Sequence, residues 1–210
     1  DGYSYLFKGF HKAFKDTDRY IQFAEWWNLQ NLRPEDFEKE KLPDGKEVMA
    51  LAEQAYIAFA KGLLRPRTVK INVIIKNAQG EESKNAIIQN FQIDKQKIQD
   101  FLPSLDDLIE KHSEYQYPTY FKAKLLLNLG DKENMLHGLL PFVKSKRNEF
   151  WAWEILAEAF SDEPEKIFAC YCKALSCKSP EEMLVRLRQK MAGILISKNL
   201  YREAKTEINL

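Results

Sequence analysis

The second half of the chain repeats a helix, break, helix pattern, and this spacing restricts the fold more than any other feature. Three pairs of amphipathic segments follow one another from Tyr117 onward, with breaks near Gly130, Ser161 and Lys198. The breaks are 31 and 37 residues apart. Helix pairs recurring at about this period bury their apolar faces by stacking on each other. We therefore predict antiparallel helix pairs, stacked as a short right-handed solenoid, over residues 94–210.

Aromatic residues crowd the first thirty positions at helical spacing. Two runs separated by Asp16 and Thr17 predict an αα-hairpin, in which one of these residues caps the second helix. The apolar stripe within residues 46–64 predicts a further helix. We expect an N-terminal helical layer over 1–64, with most of its aromatic side chains in the core.

The β-branched residues of the chain concentrate in its middle, over residues 65–93. TVKINVII and the segment after it have the composition of strands, and Ala78–Glu81 reads as a turn. This pattern predicts a connector over 65–93 with a short hairpin, or a poorly ordered excursion, near 68–92. An isolated hairpin is marginal in water.

Composition supports an all-α fold and excludes several functions. Glycine contributes 8 of 210 residues, below its usual share of roughly 7%, which disfavours phosphate-cradling loops and favours continuous helices. The 32 basic and 31 acidic residues give a formal charge of +1. A balanced charge provides no global field for polyanions, so strong nonspecific binding to nucleic acid is disfavoured.

The sequence also predicts the cellular location of the protein. No run approaches the roughly 20 apolar residues that cross a bilayer, and the N-terminus lacks the layout of a signal peptide. We expect a cytoplasmic protein without a membrane partner. The chain begins with Asp1 and stops directly after an amphipathic run, so we expect it to be a piece of a longer polypeptide.

The residues that could bind a metal or take part in catalysis are not grouped at a suitable spacing in the sequence. Cys170 and Cys177 fall on one helical face while Cys172 points away, so the three cannot converge on a zinc ion. We expect buried, reduced thiols. The three histidines are scattered, no base lies beside the cysteines, and no serine lies in the strand, elbow, helix setting of a nucleophile. We therefore predict no catalytic residues, no metal and no cofactor, and a protein that is not an enzyme.

The helix pairs carry residues typical of a known repeat. The first helix of the middle pair has an aromatic, Leu, small, aromatic order, and the second has a matching Tyr, Ala, Pro order. These positions are Trp153, Leu156, Ala157, Phe160, Tyr171, Ala174 and Pro180. The pairs therefore resemble tetratricopeptide repeats, which implies a scaffold that binds partners along an extended concave face.

Several longer strings carry a second resemblance. FAEWWNLQNLRPEDF, LAEQAYIAFAKGLL and PFVKSKRNEFWAWEILAEAF resemble an uncharacterised bacterial family of tetratricopeptide-like proteins associated with TOTE-type conflict systems. Longer members of that family carry a small barrel of the S1 or cold-shock type. The resemblance implies a helical scaffold inside a larger protein of a defence or conflict system, and it transfers no catalytic residue.

Two interpretations of the function remain open. The first is a non-catalytic protein–protein interaction scaffold, whose concave face receives a protein segment or another domain of the same chain. The repeat alignment makes Trp153 a packing residue and leaves Trp151 nearer that face. The predicted contacts are Tyr120, Lys124, Trp151, Glu154 and Glu158.

The alternative is an accessory module that binds nucleic acid through a local basic patch. Lys144, Lys146 and Arg147 lie between helix pairs, and Arg186 could join them. Each cation that contacts a phosphate would make binding more sensitive to salt. These residues have an equally simple explanation as cations that favour helix C-termini.

Overall fold

A computed structural model describes residues 2–76 and 82–209, and within the strand segments 67–76 and 82–91 it describes the backbone. The predicted turn at Ala78–Glu81 lies outside the described residues. In the part that is described, ten helices pack against their neighbours along the chain, and two small antiparallel hairpins interrupt them. The fold is therefore all-α, as predicted. None of these helices is both long enough and apolar enough to span a bilayer.

Two compact units divide the chain, Asp1–Phe121 and Lys122–Leu210. The first unit contains four whole helices and the start of a fifth. They are α1 (Gly2–Phe14), α2 (Asp18–Trp27), α3 (Leu51–Leu63), α4 (Lys95–Lys111) and α5 (Pro118–Leu129), with short 3₁₀ turns at Leu29–Asn31 and Pro34–Phe37. The sequence predicted a domain boundary at residue 94. The structure instead places α4 in the first unit with the N-terminal helices, because α4 packs on α3.

Helix α3 forms the centre of the first unit. Its small residues let neighbouring elements approach on several sides, and it contacts α2, α4 and both 3₁₀ turns. Ten of its residues are buried, including Tyr56 and Phe59. A helix that is apolar almost all round belongs in a core, and α3 therefore serves as the axis around which the unit packs.

The aromatic N-terminus forms the predicted αα-hairpin of α1 and α2, with Thr17 at the N-cap of α2. Phe7 is fully buried, and its ring centroid lies 5.4 Å from that of Trp27. Trp27 is 5% exposed and Trp26 is 77% exposed. The two adjacent tryptophans therefore differ in environment, one lying in the core and the other in solvent.

Helix α4 begins where Asp94 caps it, since the Asp94 carboxylate accepts a hydrogen bond of 3.1 Å from the backbone nitrogen of Lys97. A proline inside a helix removes a backbone hydrogen bond and favours a kink, but α4 continues through Pro103. Buried apolar residues on both sides of the proline, such as Phe101 and Leu105, hold the two halves in one helix.

Two hairpins complete the first unit. β1 (Glu40–Lys41) pairs with β2 (Glu47–Val48) around a turn in which Gly45 has a φ of 81°. β3 (Arg67–Lys76) pairs antiparallel with β4 (Glu82–Gln92), with Ile71 opposite Ile88, so the predicted hairpin near 68–92 is present.

The second unit is a run of helices in which each packs on the next. The helices that follow α5 are α6 (Lys132–Ser145), α7 (Phe150–Ala159), α8 (Pro164–Leu175), α9 (Glu181–Ser197) and α10 (Tyr201–Asn209). α6 packs on α7, α7 on α8, α8 on α9 and α9 on α10. Small buried residues, Ala157, Ala174 and Ala204, lie on the packed helices and allow their close approach.

The breaks between these helices lie at the predicted positions. Gly130 has a φ of 86°, which a residue without Cβ adopts at little cost, and it ends α5. Asp131 then caps α6 by accepting a hydrogen bond of 3.2 Å from the nitrogen of Asn134. α9 ends one residue before Lys198, and Asn199 turns the chain with a φ of 62°.

Candidate functional site

The five predicted partner contacts fall in both units. Tyr120 belongs to the first unit, where its ring meets that of Phe121 edge-on at 5.2 Å. The others, Lys124 on α5 and Trp151, Glu154 and Glu158 on α7, belong to the second. All five are half-buried.

On α7 the structure places Trp151, Glu154 and Glu158 at spacings of three and four residues. Such residues share one face of a helix. The Trp151 ring lies 5.7 Å from the ring of Phe142 on α6, measured between centroids. We call the stripe of Trp151, Glu154 and Glu158 the α7 face.

Both carboxylates of the α7 face meet one cation on α9. The Lys190 ammonium lies 2.6 Å from Glu154 and 3.6 Å from Glu158. The same ammonium lies 6.0 Å from the ring centroid of the buried Tyr171 on α8. These residues therefore join three helices through a single lysine.

Burial affects the pKa values of both Lys190 and Tyr171. Burial works against the charged form of Lys190, but the hydrogen bond and the charge of Glu154 outweigh it, so the pKa of Lys190 is raised. Burial also raises the pKa of Tyr171. Lys190 therefore keeps its positive charge at neutral pH, where it faces the carboxyl groups of Glu154 and Glu158.

Arg188 makes a second ionic contact from α9, this time to α10. Its guanidinium donates to Glu207 at 2.7 Å and to Glu181 at 3.0 Å. The Arg188 side chain is only 13% exposed. Arg188 and Lys190 are two positions apart and so point away from each other, which lets α9 contact α10 through Arg188 and α7 through Lys190.

We expect Lys190→Met to destabilise the second unit by about 1 kcal/mol, because it leaves two half-buried carboxylates without their cation. Equilibrium denaturation in urea would measure the loss. A double-mutant cycle with Glu154→Gln should give a coupling energy of about 0.5 to 1 kcal/mol. Arg186→Met is the matched control, since Arg186 is exposed on the same helix and has no ion-pair partner among the described side chains. Equal losses at the two positions would contradict the role of Lys190.

The two tryptophans of α7 differ less in burial than expected. Trp153 was predicted to be core and Trp151 to lie nearer the surface, but both are half-buried. The Trp153 indole nitrogen donates a hydrogen bond of 2.8 Å to the carbonyl oxygen of Arg147. Trp153 is therefore placed by a polar contact with the loop between α6 and α7, which a repeat alignment does not reveal.

The Trp153 hydrogen bond lies at one of the predicted basic residues, Arg147. Lys144 and Arg147 are exposed and Lys146 is half-buried. The Lys173 ammonium on α8 lies 6.0 Å from the centroid of the Trp153 ring. The basic cluster thus gains Lys173, which the sequence did not suggest. Arg186 is exposed on α9, and no described contact joins it to this cluster.

The three cysteines differ in their solvent exposure. Cys170 is buried as expected, Cys177 is half-buried and Cys172 is exposed, so the expectation of buried thiols is wrong for Cys172. Burial raises the pKa of all three thiols. No group of three or more His, Cys, Asp or Glu side chains is arranged to hold a metal ion among those the structure describes.

Sequence reasoning missed two buried polar residues of the first unit. Glu53 on α3 is 1% exposed and His11 on α1 is 4% exposed. Neither belongs to a motif, because each meets its partner through the tertiary fold. Both occur inside apolar helical stripes, and a polar residue in such a stripe is the only signal the sequence offers.

Comparison with known proteins gives a match for the second half of the chain. Residues 116–210 match the family model of a domain of unknown function, DUF7017. The matched segment contains α5 to α10. No curated protein and no solved structure matches the chain. The resemblance to tetratricopeptide repeats and to the TOTE-associated family therefore stays a prediction.

Proposed function

We propose that this protein is a non-catalytic interaction scaffold whose α7 face binds a segment of a protein partner, or another domain of the same polypeptide. The observation that carries the proposal is that Glu154 and Glu158 share Lys190 on the helix face that also carries Trp151. Stacked helix pairs of this kind bind through extended surfaces. An aromatic ring beside excess negative charge suits a segment that carries Lys or Arg.

The test compares the full chain with a variant that carries Trp151→Phe and Glu158→Gln. Quantitative crosslinking in cells would identify the captured protein, and titration with that purified protein would give its affinity. We expect the variant to bind about tenfold more weakly, with a thermal midpoint within about 3 °C of the parent. Trp26→Phe is the matched control, because Trp26 is exposed in the first unit. Unchanged affinity of the double variant would refute the α7 face as the site.

A second candidate function is binding of single-stranded nucleic acid. The observation that favours it is the loop of the exposed Arg147, where the Trp153 indole donates to the Arg147 carbonyl oxygen and the Lys173 ammonium lies 6.0 Å from the centroid of the Trp153 ring. Cations next to an aromatic ring are the elements with which proteins hold phosphates and bases of single strands.

Titration of a labelled oligothymidine at several salt concentrations tests this candidate. We expect binding that weakens with salt, and Lys144→Gln with Arg147→Gln should lower the salt slope by about 0.7 for each phosphate that the variant no longer neutralises. Lys205→Gln is the control, because Lys205 is exposed on α10. An absence of binding at low salt would reject this candidate and leave the scaffold proposal intact.

A further inference from the structure

The aromatic hairpin of α1 and α2 has an outer side that carries large apolar side chains into solvent. Tyr5 is 82% exposed, Trp26 77%, Leu6 63% and Tyr3 45%. Single exposed apolar residues are common on protein surfaces, but a group of them on one surface marks a place where another molecule binds. The arrangement of these four side chains therefore decides whether they form a binding surface.

Ring contacts connect the exposed side chains into one surface. Phe10 on α1 stacks on Phe23 on α2 with ring centroids 3.6 Å apart, and the Phe23 ring lies 6.0 Å from that of Trp26. Phe10 and Phe23 are half-buried, and Leu6 lies one turn before Phe10 on the same side of α1. We call this surface the aromatic face, and its residues are Tyr3, Tyr5, Leu6, Phe10, Phe23 and Trp26.

A stripe of small residues lies beside Leu6 on the outer side of α1. Gly2, Leu6, Gly9 and Ala13 follow one another at spacings of four, three and four residues, so they share one side of the helix, and all four are exposed. A Cβ added at Gly9 would meet no atom within 4 Å. Glycine in a helix interior is less favourable than alanine, and its use is to let another group approach the backbone closely. The stripe therefore has room for a large side chain from another chain.

Trp26 has the size and the position to fill that room on a second copy of the chain. Tyr3 lies beside Trp27, with ring centroids 4.1 Å apart, and Phe10 lies beside Phe23. Trp26 therefore lies at the level of Leu6 along the hairpin. A two-fold axis parallel to the hairpin preserves this level and places α2 of one copy over α1 of the other. Trp26 of each copy then meets the small-residue stripe of the other, and such a contact is self-complementary.

Charges at the two edges of the hairpin fit the same axis. Lys12 on α1 and Glu25 on α2 each lie about 160° around their helix from the stacked phenylalanines, and Asp18 lies about 140° from them, so all three occupy the outer edges. The parallel axis brings the edge of α1 opposite the edge of α2, and thus Lys12 opposite carboxylates. Arg19 lies next to Asp18, and Glu25 also pairs with Lys97. An axis perpendicular to the hairpin would instead bring the two Lys12 edges together.

The exposed area is large enough for a specific dimer. The exposed parts of Tyr3, Tyr5, Leu6 and Trp26 amount to roughly 600 Å² on one copy, and so to roughly 1,200 Å² in a pair, where specific interfaces begin. We propose that the aromatic face is a dimer interface, at which two copies of this chain pair their α1–α2 hairpins as a four-helix bundle. This interface is separate from the α7 face and does not depend on its function.

Sedimentation velocity of the full chain, from micromolar to submillimolar concentration, tests the proposal. We expect a reversible equilibrium between the 24.6 kDa monomer and a dimer of twice that mass. Trp26→Gln should weaken the dimer about tenfold or more, because a central aromatic residue dominates an interface. Gly9→Leu should weaken it as well by filling the stripe, while its better helix propensity keeps the fold. Met183→Gln is the matched control, since Met183 is 61% exposed in the second unit, and it should keep the parent affinity.

Dilution of the parent followed by NMR provides a second readout that needs no variant. The indole N–H resonance of Trp26 should move with protein concentration, and that of Trp153 should not. A parent that stays monomeric would overturn the proposal, even where its aromatic face binds a different protein. A dimer that neither Trp26→Gln nor Gly9→Leu weakens would overturn it by placing the contact elsewhere. Assembly that continues beyond the dimer would overturn the two-fold arrangement, because a closed contact stops at two copies.

Discussion

Replacing Glu53 with Ala should lower the free energy of unfolding by about 2 to 3 kcal/mol. Glu53 is 1% exposed on α3, and its Oε1 accepts hydrogen bonds from the backbone nitrogens of Gln116 at 3.0 Å and Tyr117 at 3.4 Å. These nitrogens lie just before Pro118, where α5 begins. The carboxylate therefore satisfies donors at a helix N-terminus and lies where the positive end of the helix dipole favours an anion.

Three variants separate the parts of this effect. Glu53→Ala removes the acceptor and leaves a small cavity, whereas Glu53→Gln keeps an acceptor oxygen and loses the charge, so it should cost about 1 kcal/mol. Glu110→Ala is the control, because Glu110 is exposed on α4 and should change stability by less than about 0.5 kcal/mol. Urea denaturation of the full chain measures all three. Similar losses for Glu53→Ala and Glu110→Ala would show that the cap contributes nothing.

The helix boundaries of the second unit were predictable because local residues determine them. Gly130 and Asn199 take positive φ values, and Asp131 caps the helix that follows it. These effects act within a few residues of the chain. The same holds for the capping of α4 by Asp94. Spacing between such signals then predicted the succession of helices that the structure shows.

Contacts between distant residues could not be predicted in the same way. Lys190 meets Glu154 across 36 positions, and Glu53 meets Gln116 across 63. Nothing in the spacing of the charges distinguishes these pairs from solvent-exposed charges elsewhere. The sequence therefore identified Glu154 and Glu158 as candidates for a partner but did not show that a lysine on α9 already holds them. The strands β1 and β2 have two residues each and are too short to leave a sequence signal.

Acidification should destabilise the first unit through His11. Burial, with a smaller contribution from the charge of Lys15, lowers the pKa of His11 from 6.5 to about 4. In the unfolded chain the imidazole accepts a proton near pH 6.5, so the unfolded state binds more protons between these two values. The stability that comes from the neutral, buried imidazole is therefore complete above about pH 7.5, decreases as the pH falls through 6.5, and is lost by about pH 4. The decrease amounts to about 3 kcal/mol.

His11→Gln isolates this contribution. Urea denaturation of the parent and the variant across this pH range should show a difference in unfolding free energy that shrinks by about 3 kcal/mol from pH 7.5 to pH 4. Ile21→Val is the control for a general loss of packing, since Ile21 is 1% exposed on α2 and has no charge to titrate. Its stability curve should run parallel to that of the parent, lower by about 1 kcal/mol. If the His11→Gln curve were also parallel to the parent, or if the imidazole titrated near 6.5 in the folded protein, His11 would not be the group through which acid acts on this unit.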